Sequence, residues 1–263
     1  MVSAPVEKAW AAWHGELDAW RDAGHTATLW WRDDDAVQPS EALERLLAVH
    51  EGAAAPLCLA VIPRQAARAL AGRLATSKSG GSHICVAPHG YGHINHAPPP
   101  EKKAEFGDHR PIEVMTGEIA AGWATIRTTF SGQAIPVFVP PWNRMAPQLS
   151  SHLAACGIVG LSALGSHQWV PYVTGITVRD VHVDIIDWHE GRRFVGEAAA
   201  LQAIIGHLRE RRTAGIAASE PTGLLTHHLV HDEAVWDFLT RLFATAHGSA
   251  RWLSAREVFN LKS

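Results

Sequence analysis

Short apolar runs alternate with helical patterns along this chain, and their order constrains the fold more than any other feature of the sequence. Strands joined through helices pair in parallel, because such a crossover returns the chain to the same end of the sheet. The alternation therefore predicts a parallel α/β fold. About seven runs have strand character, at 27–31, 57–62, 83–87, 135–139, 157–163, 181–187 and 223–227.

Helical spacing of apolar residues fills most of the intervals between these runs. Ser40 has the side chain of an N-cap, and Pro63 suits a first helical turn. The N-terminal helix (1–25) carries an aromatic stripe that we expect to pack on the body of the protein, formed by Trp10, Trp13, Leu17 and Trp20. The predicted helices span 5–23, 40 onward, 63–75, 112–130, 146–156, 197–213 and 232–247, with a closing helix within 254–261.

Length and missing motifs select among parallel α/β architectures. The chain has 263 residues, 47% of them hydrophobic, which is enough for one large core. No Gly-rich phosphate-binding fingerprint follows the first strand, so a dinucleotide-binding domain is disfavoured. No linker or repeat divides the sequence. We therefore predict a single domain over 1–263, with a (β/α) barrel as the leading architecture and an open doubly wound sheet as the alternative.

Composition excludes several classes of partner. The net charge is −3, and no basic run exceeds the pairs 192–193 and 211–212, so the chain is not expected to bind nucleic acid. No apolar run is long enough to span a bilayer, and no signal peptide is visible at the N-terminus. Cys58, Cys85 and Cys156 are widely spaced, which indicates buried free thiols of a reducing compartment. We expect a cytoplasmic protein without membrane partners; the oligomeric state is left open.

Chemically unusual residues follow the predicted strands at one end. In parallel α/β folds, ligands bind at the carboxyl ends of the strands, so this concentration indicates a functional site. The residues are Asp33, Asp34 and Asp35, then His89, His93 and His96, then Pro140 to Arg144, then Asp184, Asp187, Trp188 and His189, and finally His227, His228 and His231.

The histidines at 89 and 93 have the spacing of a metal-binding pair. On one helical turn, His89 and His93 face the same side. Gly90 and Gly92 argue against a regular helix there, although a tight turn gives the same convergence. Together with an aspartate, the pair predicts a catalytic divalent ion, Zn²⁺ before Co²⁺, Ni²⁺ or Mn²⁺. His96 is expected to face the loop or the substrate.

Four short motifs in order resemble those of the polysaccharide deacetylases of carbohydrate esterase family 4. They are Arg32-x-Asp34-Asp35, His89-Gly-Tyr-x-His93, Val139-Pro-Pro-Trp142 and Leu225-Thr-His227, and the similarity is greatest to a divergent branch of that superfamily. The resemblance covers 27–260. It implies a distorted (β/α)7 barrel, here with an added N-terminal helix. It further implies a metal-dependent hydrolase that removes an acyl group from an amide nitrogen.

The resemblance also implies roles for the aspartates. Matching Arg32-x-Asp-Asp makes Asp34 the general base and Asp35 a metal ligand. Counting back from the helix start at Ser40 instead selects Asp33 as the base and Asp34 as the ligand. We favour the first assignment.

The histidine motifs carry over in the same way. His89 and His93 match the two histidine ligands, and His227 matches the general acid. An aspartate orients that acid in the family, and Asp184 and Asp187 are both candidates here.

One departure concerns an arginine that the family places before the proline of its third motif, where it contacts the catalytic carboxylate. Val139 stands there in this chain, so Arg32 or Arg144 must supply the contact if it exists. Substrate-binding residues are expected at the mouth, namely Tyr91, Pro141, Trp142, Asn143 and Trp188.

Three functions remain open from the sequence. The first is hydrolysis of an acetyl or formyl group from the nitrogen of an amino sugar or small amide, in carbohydrate metabolism. The second is an inactive barrel that binds a carbohydrate or metabolite. The third is a metal-dependent isomerase or aldolase.

Overall fold

The computed structural model describes residues 3–77, 83–165, 175–189, 191–214, 220–246 and 248–262. The strands are β1 Ala27–Ala36, β2 Leu57–Val61, β3 Ile84–Pro88, β4 Val137–Phe138, β5 Gly160–Leu161, β6 Thr177–Val178, β7 Val183–Asp184, β8 Ile186–Asp187, β9 Arg193–Phe194, β10 Thr222–Thr226 and β11 Ala250–Leu253. The helices are α1 Ala4–Asp22, α2 Glu41–Ala53, α3 Arg68–Ala75, α4 Ile112–Phe130, α5 Glu197–Thr213, α6 Glu233–Ala246 and α7 Ala255–Val258. No helix within these ranges is long and apolar enough to cross a membrane.

Parallel pairing connects the strands into a ring, apart from β8 and β9, which form a separate antiparallel pair. One sheet has the order β3-β2-β1-β10-β7 and a second has the order β4-β5-β6. Single parallel bridges join the two sheets: Val86–Ala134 and His89–Val139 connect β3 to β4, and Leu164–Val181 connects the end of β5 to the approach of β7. The ring is irregular, because β4 to β7 are very short and β11 pairs with the first residues of β1. The predicted distorted α/β barrel is confirmed as a fold class.

The side chains of β1 alternate between two hydrophobic clusters, one between the strands and the outer helices and one inside the ring of strands. Trp31 points outward, where its ring lies 4.8 Å from the ring of Phe243 on α6. Trp30 points into the ring of strands, 6.0 Å from Phe259. Because side chains alternate along a strand, Arg32 and Asp34 follow Trp30 inward while Asp33 follows Trp31 outward. The pleat thus separates the charges that the sequence places side by side.

The N-terminal helix packs on the outer helices through its tryptophans, as predicted. Trp10 donates to Glu197 of α5 at 2.6 Å, and Trp13 donates to Thr245 of α6 at 3.2 Å. Buried Glu16 accepts a hydrogen bond from Arg212 at 2.8 Å. The three cysteines are buried and free, as the sequence predicts.

Several predicted boundaries are wrong. Strand β1 does not end at Trp31 but continues to Ala36, through all three aspartates. The predicted helix at 146–156 is instead two 3-10 segments, Pro147–His152 and Ala154–Cys156. Serine hydroxyls compete for carbonyls there, since Ser150 donates to the carbonyl of Pro147 at 2.6 Å.

The third predicted helix also begins late. Pro63 starts only the 3-10 segment Pro63–Gln65, and α3 begins at Arg68. The Ser40 cap is present, because its side chain accepts a hydrogen bond from the Leu43 N–H at 3.1 Å. Positions 1, 2 and 247 of the predicted helical regions lie outside the described residues.

Candidate metal centre

Asp35 leaves the alternation of β1 because the strand bulges there. The register of β1 against β2 shifts between Asp33 and Ala36, and Asp35 has φ +74°. A bulge re-aims one side chain without ending the strand. It turns the Asp35 carboxylate toward the histidines that follow β3.

Three side chains converge at this end of the barrel. Asp35 Oδ1 lies 3.1 Å from His89 Nε2 and 3.3 Å from His93 Nε2. The three candidate ligand atoms lie within 4.8 Å of one another, and no other such group of histidine, cysteine and carboxylate side chains occurs in the described part of the chain. His96 is exposed and not part of the group.

The donor set fits a divalent cation. His89 Nδ1 lies 3.1 Å from the carbonyl oxygen of Val139. A carbonyl only accepts, so Nδ1 carries the proton and Nε2 presents its lone pair to the site. Asp35 Oδ1 is buried, yet no donor is aligned on it for a hydrogen bond. Two imidazole nitrogens and one carboxylate oxygen with open positions is the ligand pattern of catalytic zinc.

The electrostatics of the group favour a positive charge between its members. Burial alone raises the pKa of the Asp35 carboxyl, but His89 and His93 outweigh it and hold that pKa far below its ordinary range. Burial lowers the pKa of His89, and the charges of Asp34 and Asp35 reverse this, so it is raised overall. Burial and the neighbouring His89 lower the pKa of His93.

Asp34 lies inside the barrel beside the group and is held by Arg32. Arg32 donates through Nε to Asp34 Oδ1 at 2.9 Å and through Nη2 to Asp34 Oδ2 at 3.0 Å. Both side chains are almost completely buried. The guanidinium also donates to Ser162 Oγ and to Asn143 Oδ1, each at 2.7 Å. Arg144 is exposed and bonds instead to the Lys103 carbonyl at 3.2 Å.

Asp33 faces the opposite side of β1. Its carboxylate accepts from Thr226 Oγ1 at 2.6 Å, from the His228 N–H at 3.0 Å and from His228 Nδ1 at 2.5 Å. The structure therefore does not bring Asp33 to the metal side, and its assignment as the base has no geometric support. Asp33 and His228 form a buried pair that joins β1 to the segment after β10.

His227 occupies the mouth beside a tryptophan. Its ring lies 4.6 Å from the Trp188 ring in an edge-on arrangement. Trp188 Nε1 donates to Asp184 Oδ2 at 2.7 Å, which fixes the indole. His227 Nδ1 is buried and has no hydrogen-bond partner among the described residues. Asp187 accepts the N–H of His189 at 2.9 Å.

Of the two candidate orienting aspartates, Asp184 interacts with the histidine. Burial raises the pKa of the Asp184 carboxyl, and the charge of His227 opposes the rise. No hydrogen bond joins the two side chains. The backbone N–H of His227 donates to His231 Nε2 at 3.3 Å, which holds the main chain at this position.

Two of the predicted substrate-binding residues lie at the mouth of the site, and the other three pack behind it. Trp142 and Trp188 lie at the mouth, with the Trp142 ring 4.3 Å from that of His93. Asn143 is tied to Arg32, and Pro141 fills the space beside Gly90, where a Cβ would overlap the proline ring. Tyr91 packs against the apolar cluster around Phe106.

Two residues near the site escape sequence analysis as functional candidates. Ser162 belongs to a strand run and gives no signal of its bond to Arg32. Glu105 lies in an irregular stretch without periodicity, yet its carboxylate is buried against the loop that carries His93.

No protein-family model matches the chain. No curated protein matches it either. Solved structures do share its fold. A protein of Mycobacterium smegmatis assigned to the polysaccharide deacetylases superposes with a TM-score of 0.61 at 15% identity, covering 89% of this chain and 89% of its own.

Two further structures carry more specific descriptions. A family 4 acetyl xylan esterase of Clostridium thermocellum in complex with cobalt gives a TM-score of 0.51 at 13% identity, covering 89% and 91% of the two chains. A peptidoglycan N-acetylglucosamine deacetylase gives 0.53 at 14%, covering 90% of each. The chain has the fold of the polysaccharide deacetylases, as its motifs predict.

Proposed function

We propose that this chain is a divergent polysaccharide deacetylase that hydrolyses the N-acyl group, acetyl or formyl, of an amino sugar or related small amide. The observation that carries the proposal is the convergence of Asp35, His89 and His93 beside a buried, arginine-bound Asp34. This arrangement combines a metal-ligand set with a carboxylate that is held apart from it. The bond that the proposed enzyme hydrolyses is a linear, non-peptide carbon–nitrogen bond.

Asp35, His89 and His93 would hold the cation, with Zn²⁺ as our first choice and Co²⁺, Ni²⁺ or Mn²⁺ as alternatives. Such an ion polarises a carbonyl oxygen and makes bound water acidic. The Val139 carbonyl fixes the His89 ring so that Nε2 is the ligand atom. The bulge at Asp35 supplies the third ligand.

Asp34 would accept the proton of the attacking water. Arg32 occupies one acceptor direction of each Asp34 oxygen, which leaves a lone pair free for the water. The guanidinium also fixes the plane of the carboxylate. General-base catalysis of this kind contributes roughly 10²–10⁴-fold.

His227 would donate a proton to the leaving nitrogen from the other side of the site. The Trp188 ring restricts the imidazole, and the bond from the His227 backbone N–H to His231 restricts the main chain. Asp184 is proposed to orient this end of the site, because it holds the Trp188 indole that packs against the His227 ring.

The aromatic side chains at the mouth and the structural relatives both support a proposed substrate class. Trp142 and Trp188 offer aromatic faces on which a sugar ring stacks. Solved relatives include a peptidoglycan N-acetylglucosamine deacetylase and an acetyl xylan esterase. We therefore propose a saccharide or small-molecule substrate. We also propose a cytoplasmic location, supported by the three buried free thiols.

The other two functions have less support. The missing third-motif arginine favours an inactive barrel, but Arg32 donates to the Asp34 carboxylate in its place. An isomerase or aldolase is favoured by more than three protein ligands, whereas three converge in the described part of the chain.

Metal analysis and turnover test the proposal together. Protein purified without chelator should contain one divalent ion, and His89→Ala should remove it. The metal-loaded protein should release acetate or formate from a panel of N-acetyl and N-formyl amino sugars, and Asp34→Asn should abolish that release. Full activity of Asp34→Asn would refute the assignment of the base.

A further inference from the structure

The loop from His89 to His93 carries two ligands without belonging to a helix. Its residues have no regular secondary structure after the bridge at His89. Gly90 and His93 both have positive φ, +61° and +56°. Such a loop exposes successive backbone N–H groups on one side, and they need an acceptor when buried.

Glu105 is that acceptor. Its Oε1 accepts from the Gly92 N–H at 2.7 Å and the Ile94 N–H at 3.4 Å, and its Oε2 accepts from the Tyr91 N–H at 3.2 Å. The three N–H donors belong to the loop 89–93 and the residue after it, and they surround the carboxylate. Glu105 is only 1% exposed. The carboxylate is therefore shielded from solvent.

The backbone at Glu105 is itself held in place on the side away from the loop. Arg110 donates to the Glu105 carbonyl at 2.9 Å and binds the Glu118 carboxylate with both terminal nitrogens. Phe106 pairs with Met145 through a backbone bridge. At Gly90 a Cβ would overlap Glu105 Oε2, so the loop closes directly over the carboxylate.

We propose that Glu105 is a positioning residue for the cation, acting through the backbone of the loop that presents His93. The inference rests on the metal centre proposed above. With the carboxylate present, the N–H groups of residues 91, 92 and 94 hold the left-handed conformation at His93. Without it, the buried Gly92 N–H and its two part-buried neighbours lose their acceptor. The loop then rearranges to reach water, which moves His93 Nε2 away from Asp35 and His89.

Glu105→Gln is the most informative change because it keeps the volume of the side chain. Its amide oxygen can still serve Gly92 and Ile94, but its NH₂ group then opposes the Tyr91 N–H. One donor loses its acceptor, and the negative charge behind the loop is removed. Groups that orient metal ligands typically change metal affinity by about 10–100-fold.

Zn²⁺ binding to the metal-free full-length protein measures the effect directly. Competition against a chromophoric chelator should give a Kd for Glu105→Gln that is weaker than wild type by about 10–100-fold. Glu16→Gln is the matched control: it removes the charge of another buried glutamate, which bonds to Arg212 of α5 and not to the loop 89–93, and its Kd should stay near wild type. A visible spectrum of the Co²⁺ form should change in Glu105→Gln and not in Glu16→Gln.

Each outcome is decisive. Equal Zn²⁺ affinity of wild type and Glu105→Gln overturns the inference alone, whereas wild type that binds no Zn²⁺ overturns the proposed metal centre. If Glu105→Gln does not fold, Glu105→Asp replaces it: weaker Zn²⁺ binding supports positioning, and unchanged binding refutes it. If neither variant folds, with or without Zn²⁺, Glu105 is a residue of folding and the inference is wrong.

Discussion

Arg32 and Asp34 are two residues apart on one strand and form a two-point hydrogen-bonded pair inside the barrel, at 2.9 and 3.0 Å. The pleat of β1 places both side chains on the inner face. A residue of the same strand thus makes the contact that an arginine of the third motif makes in the polysaccharide deacetylases. The proposed base and its arginine partner therefore lie on a single strand.

Arg32→Lys tests this pair. Lysine keeps the charge but cannot donate two parallel hydrogen bonds to the carboxylate. We expect kcat to fall about 10²-fold, as when one preorganised donor is removed, with little change in KM. Steady-state kinetics of the metal-loaded variant measures it.

Arg144→Lys is the control, because Arg144 is exposed and bonds only to a backbone carbonyl. A kcat of Arg32→Lys equal to that of Arg144→Lys would show that the base does not need the guanidinium.

Two variants distinguish the proposed metal ligand from the proposed base. Asp35→Asn removes a ligand charge, so we expect Zn²⁺ affinity to fall more than about 100-fold, beyond the effect typical of groups that only orient ligands. Asp34→Asn should keep the metal and lower kcat by about 10²–10⁴-fold. Metal content and turnover of the two variants, measured on the same preparations, distinguish the roles. The opposite result would favour Asp34 as the ligand.

The sequence predicts which strand ends meet, but not the local backbone that aims the side chains. Parallel strands end at one edge, so the order of strands predicts that the aspartates after Trp31 lie near His89 and His93. The motif resemblance, and not the order of strands, selects Asp35 among the three aspartates. The bulge at Asp35 does not follow, since a positive φ at an aspartate is set by the register of β1 against β2. Periodicity therefore ends the strand too early, at Trp31.

Sequence patterns also fail to predict hydrogen bonds between residues that are far apart in the chain. Glu105 meets Gly92 across 13 residues of irregular chain, and no local pattern reports that contact. Asp33 and His228 are 195 residues apart, so their pairing emerges only when β1 and β10 are adjacent. The serine bonds that turn 146–156 into 3-10 segments depend on competition within single turns, which apolar spacing does not reveal.

Asp33→Asn should destabilise the protein while the metal remains bound. The substitution leaves His228 buried without its charged partner, and breaking a buried pair in this way costs about 3–5 kcal/mol. Chemical denaturation measures the loss in the free energy of unfolding. Asp22→Asn, on the exposed end of α1, should change it by less than about 0.5 kcal/mol. A destabilisation as small as that of the control would show that the pair contributes nothing to the fold.

His231 should make the protein less stable in acid. Burial lowers its pKa from the ordinary 6.5 of a histidine to about 4 in the folded chain, even though Asp33 raises it. Between these two values the unfolded chain binds a proton that the folded chain does not, so the free energy of unfolding falls as the pH drops through this window.

His231→Gln removes this titration and retains an acceptor for the His227 N–H. The difference in unfolding free energy between neutral pH and about pH 4.5 should shrink by about 2 kcal/mol in the variant. Urea titrations at both pH values give this difference for each protein. The contribution of Asp33 and His228 is common to both proteins and largely cancels. An unchanged pH dependence in His231→Gln would mean that His231 is protonated in the folded state, and the buried bond from the His227 N–H could not exist in the form described.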